Sequence, residues 1–156
     1  MNETKIKALS KEAGQAAADL YSSRKSNCAG SALSALNKAF ACGLSQDLIN
    51  PITASLGGGL SRGATCGALL GSEIGLSLAA NKAGAPISND DLRKAGGRLY
   101  DDFQAAFGSV NCRDLKKGDP NIKDSHVPAC AQLVAQTVEM AIKQLQELKP
   151  DLENFK

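Results

Sequence analysis

Residues 65–81 read TCGALLGSEIGLSLAAN, a stretch of helical length in which apolar residues predominate. Three glycines, Gly67, Gly71 and Gly75, recur at four-residue intervals, so one face of the predicted helix carries almost no side chains. The backbone of another helix can approach such a face closely. Because Glu73 and the glycines interrupt the apolar run, we predict a buried core helix and not a membrane span.

Apolar residues spaced three and four apart predict further helices on both sides of this stretch. Four more segments show the spacing: residues 3–21, a segment that starts after Ser26 and Asn27 and ends at Gly43, a segment capped by Ser88 that extends to Phe107, and a segment that begins at Pro128. A short element after Pro51 would bring the total to about five or six helices. With no strand pattern, repeat or long linker, the sequence predicts an all-α fold, a compact helical bundle forming a single domain over residues 1–156.

The amino-acid composition and charge argue against several classes of function. The chain has no Trp, two Tyr and four Phe, so Ala, Leu, Ile and Val must fill most of the core. The net charge is +2, and basic residues alternate with acidic ones along the chain, which argues against a nucleic-acid partner. Residues 1–9 lack the apolar run of a secretory signal. We therefore expect a cytoplasmic protein with no membrane association.

Four of the five cysteines fall at predicted helix starts: Cys28, Cys66, Cys112 and Cys130. The free backbone N–H groups of a first helical turn stabilise negative charge, and the thiolate is the form that attacks disulfides and binds metals. Helix starts at one end of a bundle can lie close together, so the four thiols could form one redox or metal site. No close C-x-x-C pair is present, and any single cysteine could equally be a small core residue.

Four sequence segments resemble a known family: NCAGSAL around Cys28, GATCGALLG around Cys66, FGSVNCRDL around Cys112 and PACAQLV around Cys130. Together they are similar to the redox-active family named for its Cys, GCAxxG, Cys, Cys pattern. The resemblance extends from about Cys28 to Ile142. The residue before Cys66 is Thr65, where the pattern has glycine.

The resemblance implies a small helical protein with four functional cysteines that works with a redox partner protein. It also implies that Gly67, Ala68 and Gly71, the motif residues after Cys66, support that cysteine. The cysteines would act as redox-active thiols or as ligands of an iron–sulfur cluster for electron transfer, and the sequence does not separate the two. The alternative is a non-catalytic module, with a structural zinc or packed cysteines, that docks a partner; zinc is the less favoured metal. A homodimer is also compatible with the glycine face.

Other candidate residues have weaker signals. The segment GGLSRGAT, residues 58–65, resembles a phosphate-binding loop, but Ala64 stands where the lysine belongs. We predict instead that its glycines let backbone N–H groups approach the Cys66 sulfur or a cluster sulfide. Cys42 is predicted to be a core residue. Glu73 is expected at the solvent edge of its helix or, if buried, paired with an arginine such as Arg62 or Arg98. His126, the only histidine, is predicted to lie in a surface loop from Gly118 to His126.

Overall fold

The computed structural model describes residues 2–82, 85–116, 128–150 and 152. These residues form seven α-helices and a left-handed loop, Gly59–Gly63, in which Leu60 and Ser61 have positive φ angles. The helices are α1 (Glu3–Ser22), α2 (Cys28–Ala39), α3 (Gln46–Thr53), α4 (Gly67–Lys82), α5 (Asn89–Phe107), α6 (Cys112–Leu115) and α7 (Pro128–Leu148). The all-α prediction is confirmed, with a helix count slightly above the five or six expected. The single-domain organisation stays a prediction.

Polar side chains fix where several helices begin. The side-chain oxygen of Asn27 accepts a hydrogen bond from the Gly30 backbone N–H and so starts α2 directly at Cys28. Asn2, Ser45 and Ser88 cap α1, α3 and α5 in the same way. Because Asn27 places the first turn of α2 at Cys28, the capping residue also determines where this thiol lies.

The glycine face of α4 packs against α2. A Cβ atom added at Gly71 would lie 2.2 Å from the carbonyl oxygen of Ala29, and one added at Gly75 would lie 2.5 Å from Leu36 Cδ1. No side chain larger than hydrogen fits at either position. The glycine face is therefore an internal contact between two helices, and in this structure it is not a surface for a second copy.

The core lies between α1, α2, α4, α5 and α7. The largest fully buried apolar side chains among the described residues are Leu33, Leu36, Ile49, Leu69, Leu76, Leu99, Phe103, Val134, Ile142, Leu145 and Leu152, and many alanines are buried with them. This composition agrees with the low aromatic content of the sequence. None of the helices in the described part of the chain combines the length and apolarity that a membrane span requires.

Two predicted boundaries were wrong. The short third helix begins at Gln46, where Ser45 provides the cap, and Pro51 lies in its last turn instead of preceding it. The second helix ends at Ala39, before Gly43, because Ala41 takes a positive φ angle of 48°. The predicted loop from Gly118 to His126, with His126 itself, lies outside the described residues.

Candidate thiol site

Four cysteines line one small cavity at one end of the bundle. Cys28 is the first residue of α2, Cys66 immediately precedes α4, Cys112 is the first residue of α6, and Cys130 lies in the first turn of α7. Cys66 and Cys112 are buried, and Cys28 and Cys130 are partly buried. The cavity has a volume of about 20 Å³. The structure thus brings together the four cysteines that the sequence selected.

Backbone hydrogen bonds hold the segments of Cys66 and Cys112 side by side. The Cys66 N–H donates to the Val110 carbonyl at 2.8 Å, and the Cys112 N–H donates to the Ala64 carbonyl at 2.7 Å. Two bonds between the same short segments fix their register. As a result, two cysteines that are 46 residues apart in sequence reach the same cavity.

Arg113 attaches the left-handed loop to α6. Its Nε and Nη2 donate to the carbonyl oxygens of Gly63 and Arg62, each at 3.2 Å. A Cβ atom at Gly63 would lie 2.9 Å from the Cβ of Arg113, so the loop and α6 are in close contact. Arg113 follows Cys112 directly, and it holds the loop that begins immediately after Gly58, a residue of the cavity wall.

Two backbone N–H groups near Cys28 favour its thiolate form. One comes from Ala29, in the first turn of α2, and the other from Gly58, whose φ angle of 64° is in the left-handed region. Burial raises the pKa of the Cys28 thiol, and these two donors and Lys116 only partly offset that effect. Gly58 therefore favours the thiolate of Cys28, whereas the sequence predicts that the glycines of residues 58–65 serve Cys66 or a cluster sulfide.

Cys66 is the most strongly perturbed thiol of the site. Burial, followed by the negative charge that Cys28 would carry, raises the pKa of Cys66 to about 12. The N–H groups of Ala68 and Leu69 act in the opposite direction, as expected at a helix start. The two thiols of Cys28 and Cys66 are therefore electrostatically coupled.

Tyr21 and Lys116 complete the cavity wall and were not identified from the sequence. Burial raises the pKa of Cys130, while a hydrogen bond from the Tyr21 side chain and the charge of Lys116 lower it. Both residues line the cavity beside the cysteines. A tyrosine at a helix end and a lysine in a loop are common in sequences, so no pattern pointed to them.

A known protein family matches most of the chain. The family described as "Putative redox-active protein (C_GCAxxG_C_C)" matches residues 26–144. The chain belongs to this family. No curated protein and no solved structure matches the chain. In the C_GCAxxG_C_C pattern glycine precedes the second cysteine and alanine follows it, whereas this member has Thr65 before Cys66 and Gly67 between Cys66 and Ala68.

The structure changes the roles predicted for the motif residues of this C_GCAxxG_C_C protein. The Ala68 backbone N–H lowers the pKa of Cys66. Gly67 instead makes room for Cys28, because a Cβ atom there would lie 2.4 Å from the Cys28 sulfur, and Gly71 makes room for the Ala29 carbonyl. The two glycines allow α2 to approach α4, and this approach brings Cys28 next to Cys66.

The prediction that helix starts favour the thiolate form was only partly right. The N–H groups are present, but the pKa values of Cys28, Cys66 and Cys130 are all raised above the ordinary thiol value because burial has the larger effect. In the metal-free C_GCAxxG_C_C protein these three thiols are therefore protonated at neutral pH. Any ligand that needs their thiolates must displace protons.

Two other candidates lie away from the cavity. Cys42 is partly buried at the edge of the core, beyond the end of α2. Glu73 is partly buried against Gly96 of α5, and burial raises the pKa of its carboxyl to about 7. The predicted arginine partners bond elsewhere, since Arg98 contacts Gln144 and Glu147 and Arg62 donates to the Ser61 carbonyl.

The side chains of the cavity that could ligate a metal or cluster are the four cysteine thiols. Among the described residues, no three His, Cys, Asp or Glu side chains are placed to share one metal ion. Four cysteine thiolates are the usual ligands of iron–sulfur clusters, so the chemistry of the lining fits such a group. The cavity volume of about 20 Å³ is little more than that of one water-sized sphere. Cluster binding would therefore require the cavity walls to move apart.

Proposed function

We propose that this protein is a cysteine-based redox protein in which Cys28, Cys66, Cys112 and Cys130 ligate an iron–sulfur cluster that carries electrons. The observation behind the proposal is the convergence of four thiols, each from a different helix start, on one cavity. The other lining groups are mainly apolar, with Tyr21 and Lys116 as the polar exceptions. Such a lining limits contact between the sulfurs and water.

Hydrogen bonds to the sulfurs support this assignment. Backbone N–H groups reach Cys28 and Cys66, and the Tyr21 hydroxyl reaches Cys130. Hydrogen bonds to ligand sulfurs and low solvent exposure are the means by which proteins adjust the potential of iron–sulfur clusters. Membership of a redox-active family also favours iron over zinc, because zinc has no redox chemistry of its own.

Dithiol–disulfide cycling is the second candidate, and the placement of Cys28 and Cys66 in the same small cavity favours it. These two residues would form the disulfide. The raised pKa values of both thiols count against rapid attack on an external disulfide, because the thiolate is the nucleophile. We therefore place this function behind cluster binding.

A cytoplasmic location and a redox partner protein are part of the proposal. All five cysteines are free in the structure, as is usual in reducing compartments. A homodimer stays a separate possibility to be measured by sedimentation. The non-catalytic alternative, a docking module with structural zinc or packed cysteines, predicts no redox change at the site.

Anaerobic purification, followed by an absorption spectrum and by iron, sulfide, zinc and thiol analysis of the same sample, tests the proposal. We expect a brown protein containing iron and sulfide, and we expect Cys→Ser changes at Cys28, Cys66, Cys112 or Cys130 to reduce both. Cys42→Ser is the matched control, because Cys42 lies outside the cavity, and it should retain the full iron content.

Three results would contradict cluster binding. A colourless, metal-free protein that loses two thiols on mild oxidation would support dithiol chemistry, especially if peptide mapping joins Cys28 to Cys66. Stoichiometric zinc would support the docking module. Four unreactive thiols, with stability unchanged by chelators, would indicate packed cysteines.

A further inference from the structure

The end of the bundle that holds the cavity carries an exposed apolar side chain. Leu60 is 47% exposed, although it lies two residues after Gly58, which lines the cavity. Leu60 and Ser61 have φ angles of 59° and 54°, a left-handed conformation that is unfavourable for residues other than glycine. The fold thus maintains a strained loop that presents a leucine to solvent beside the thiols.

Hydrogen bonds hold this loop in place. The Ala64 N–H donates to the Gly59 carbonyl at 2.9 Å, and the Arg113 side chain holds the carbonyls of Arg62 and Gly63. The same segment continues into the backbone bonds that fix Cys66 and Cys112. Leu60 therefore lies in a loop that is hydrogen-bonded to the segments that carry Cys66 and Cys112.

The segments at this end of the bundle carry mainly basic residues. The described segments 23–27, 54–66 and 108–116 form what we call the cysteine end of the bundle. They contain five basic residues, namely Arg24, Lys25, Arg62, Arg113 and Lys116, and one acidic residue, Asp114. Asp114 accepts a hydrogen bond from the Ser109 hydroxyl. The net charge of the whole chain is only +2, so positive charge is concentrated at this end.

We propose that the cysteine end is the docking surface for a redox partner protein whose own redox centre is surrounded by acidic residues. Leu60 is the apolar anchor, and Lys25, Arg62, Arg113 and Lys116 guide the acidic surface toward it. This inference rests on the proposed function and adds the partner's chemistry to it. A partner seated here would lie directly over the cavity wall formed by Gly58 and Lys116.

Electron-transfer kinetics test the docking surface. The protein with its iron–sulfur cluster is first reduced with dithionite, and the reduction is followed by visible absorption. If no absorption change occurs, the result contradicts the proposed cluster and does not test the docking surface. The reduced protein is then mixed with ferric cytochrome b5, an acidic single-haem protein, or with ferric cytochrome c, a basic one. In each reaction one electron leaves the reduced site and converts a ferric haem to a ferrous haem.

With the acidic acceptor we expect the second-order rate constant to fall about tenfold or more between low and high salt. The double variant Lys25→Glu/Arg62→Glu should lower the low-salt rate about tenfold, because it reverses two charges of the surface. Leu60→Ser should lower the rate at both salt concentrations. Lys38→Glu is the matched control, since Lys38 is exposed at the other end of α2 and its charge reversal should have little effect.

Several outcomes would overturn the inference. These include a rate with the acidic acceptor that does not fall with salt, a rate with the basic acceptor that falls with salt as steeply, and an equal effect of Lys38→Glu and the double variant. Sedimentation provides the other decisive measurement. If the wild-type protein is a dimer and Leu60→Ser makes it a monomer, the surface binds a second copy of the chain and not an acidic redox partner.

Discussion

The sulfur of Cys28 lies directly over the Cα atom of Gly67: a methyl group at position 67 would be 2.4 Å from the sulfur. This contact joins the first residue of α2 to the first residue of α4. It explains why the glycine that follows Cys66 matters for a different cysteine. It also provides a test of how closely the two helices must approach to assemble the site.

We predict that Gly67→Ala destabilises the protein by about 1–3 kcal/mol, as overpacking in a close contact commonly does. The added methyl group would also lie 2.8 Å from the Leu56 carbonyl, so it cannot be accommodated by moving Cys28 alone. Gly97→Ala in α5 is the control, because a Cβ atom there meets nothing within 4 Å. It should stabilise the protein by about 0.5–1 kcal/mol. Urea denaturation of the reduced, metal-free proteins measures both, and equal stabilities of the two variants would contradict the close approach.

Tyr21 offers a test of the hydrogen bond to Cys130. Tyr21→Phe keeps the buried ring but removes the hydroxyl that lowers the pKa of Cys130. Loss of a hydrogen bond worth about 1 kcal/mol should reduce the thiolate fraction about fivefold at pH values below the pKa. In the reduced, metal-free protein, alkylation of Cys130 followed by peptide mass spectrometry should slow by that factor.

The same variant should shift the potential of the loaded protein to a more negative value, because hydrogen bonds to ligand sulfurs favour the reduced state. Tyr100→Phe is the control, since Tyr100 is 42% exposed and does not line the cavity. Unchanged alkylation of Cys130 in Tyr21→Phe would mean that the hydroxyl does not act on this sulfur.

Glu73 predicts a specific pH dependence of stability. Its carboxyl has a pKa of about 7 in the folded protein, against 4.5 as the ordinary value, because it is partly buried. The folded state therefore binds a proton that the unfolded state has already released, and stability falls as pH rises from 4.5 through 7. Partial exposure limits the effect to about 1–2 kcal/mol.

Glu73→Gln removes this titration, so the variant should exceed the wild type in stability at pH 8 and lose that advantage at pH 4.5. Urea denaturation at several pH values gives the comparison. Glu12→Gln, at an exposed position of α1, is the matched control. A stability difference between Glu73→Gln and wild type that does not change with pH would refute the assignment.

Ser72 is a buried polar group whose side-chain oxygen has no hydrogen-bond partner in the described part of the chain. Burying an unpaired hydroxyl is unfavourable, so Ser72→Ala should leave stability unchanged or raise it by about 1 kcal/mol. Ser34→Ala should instead lower stability by about 1 kcal/mol, because the Ser34 hydroxyl exchanges hydrogen bonds with Gln46. Thermal unfolding of the two variants distinguishes them. A lower stability of Ser72→Ala would contradict the unpaired state of the Ser72 hydroxyl.

Much of the fold could be predicted because its signals are local. Asn27 and Ser88 cap helices where the sequence indicates, and Pro128 opens the last helix. The prediction of a short third element after Pro51 was wrong, because the helix runs from Gln46 to Thr53 and includes Pro51. A proline can also occur in the last turn, and here the cap formed by Ser45 sets the beginning.

The sequence by itself determined the helical fold, the glycine face of α4 and the four cysteines at helix starts, because spacing and capping depend on neighbours within a few residues. The tertiary structure decided which groups meet. In the folded protein the glycine face packs against α2, and the Gly58 N–H favours the thiolate of Cys28. Tyr21 and Lys116 line the cavity beside the thiols. The tertiary structure also reversed the expected effect on the thiol pKa values, since burial depends on the packing of all the helices and here exceeds the effect of the helix starts.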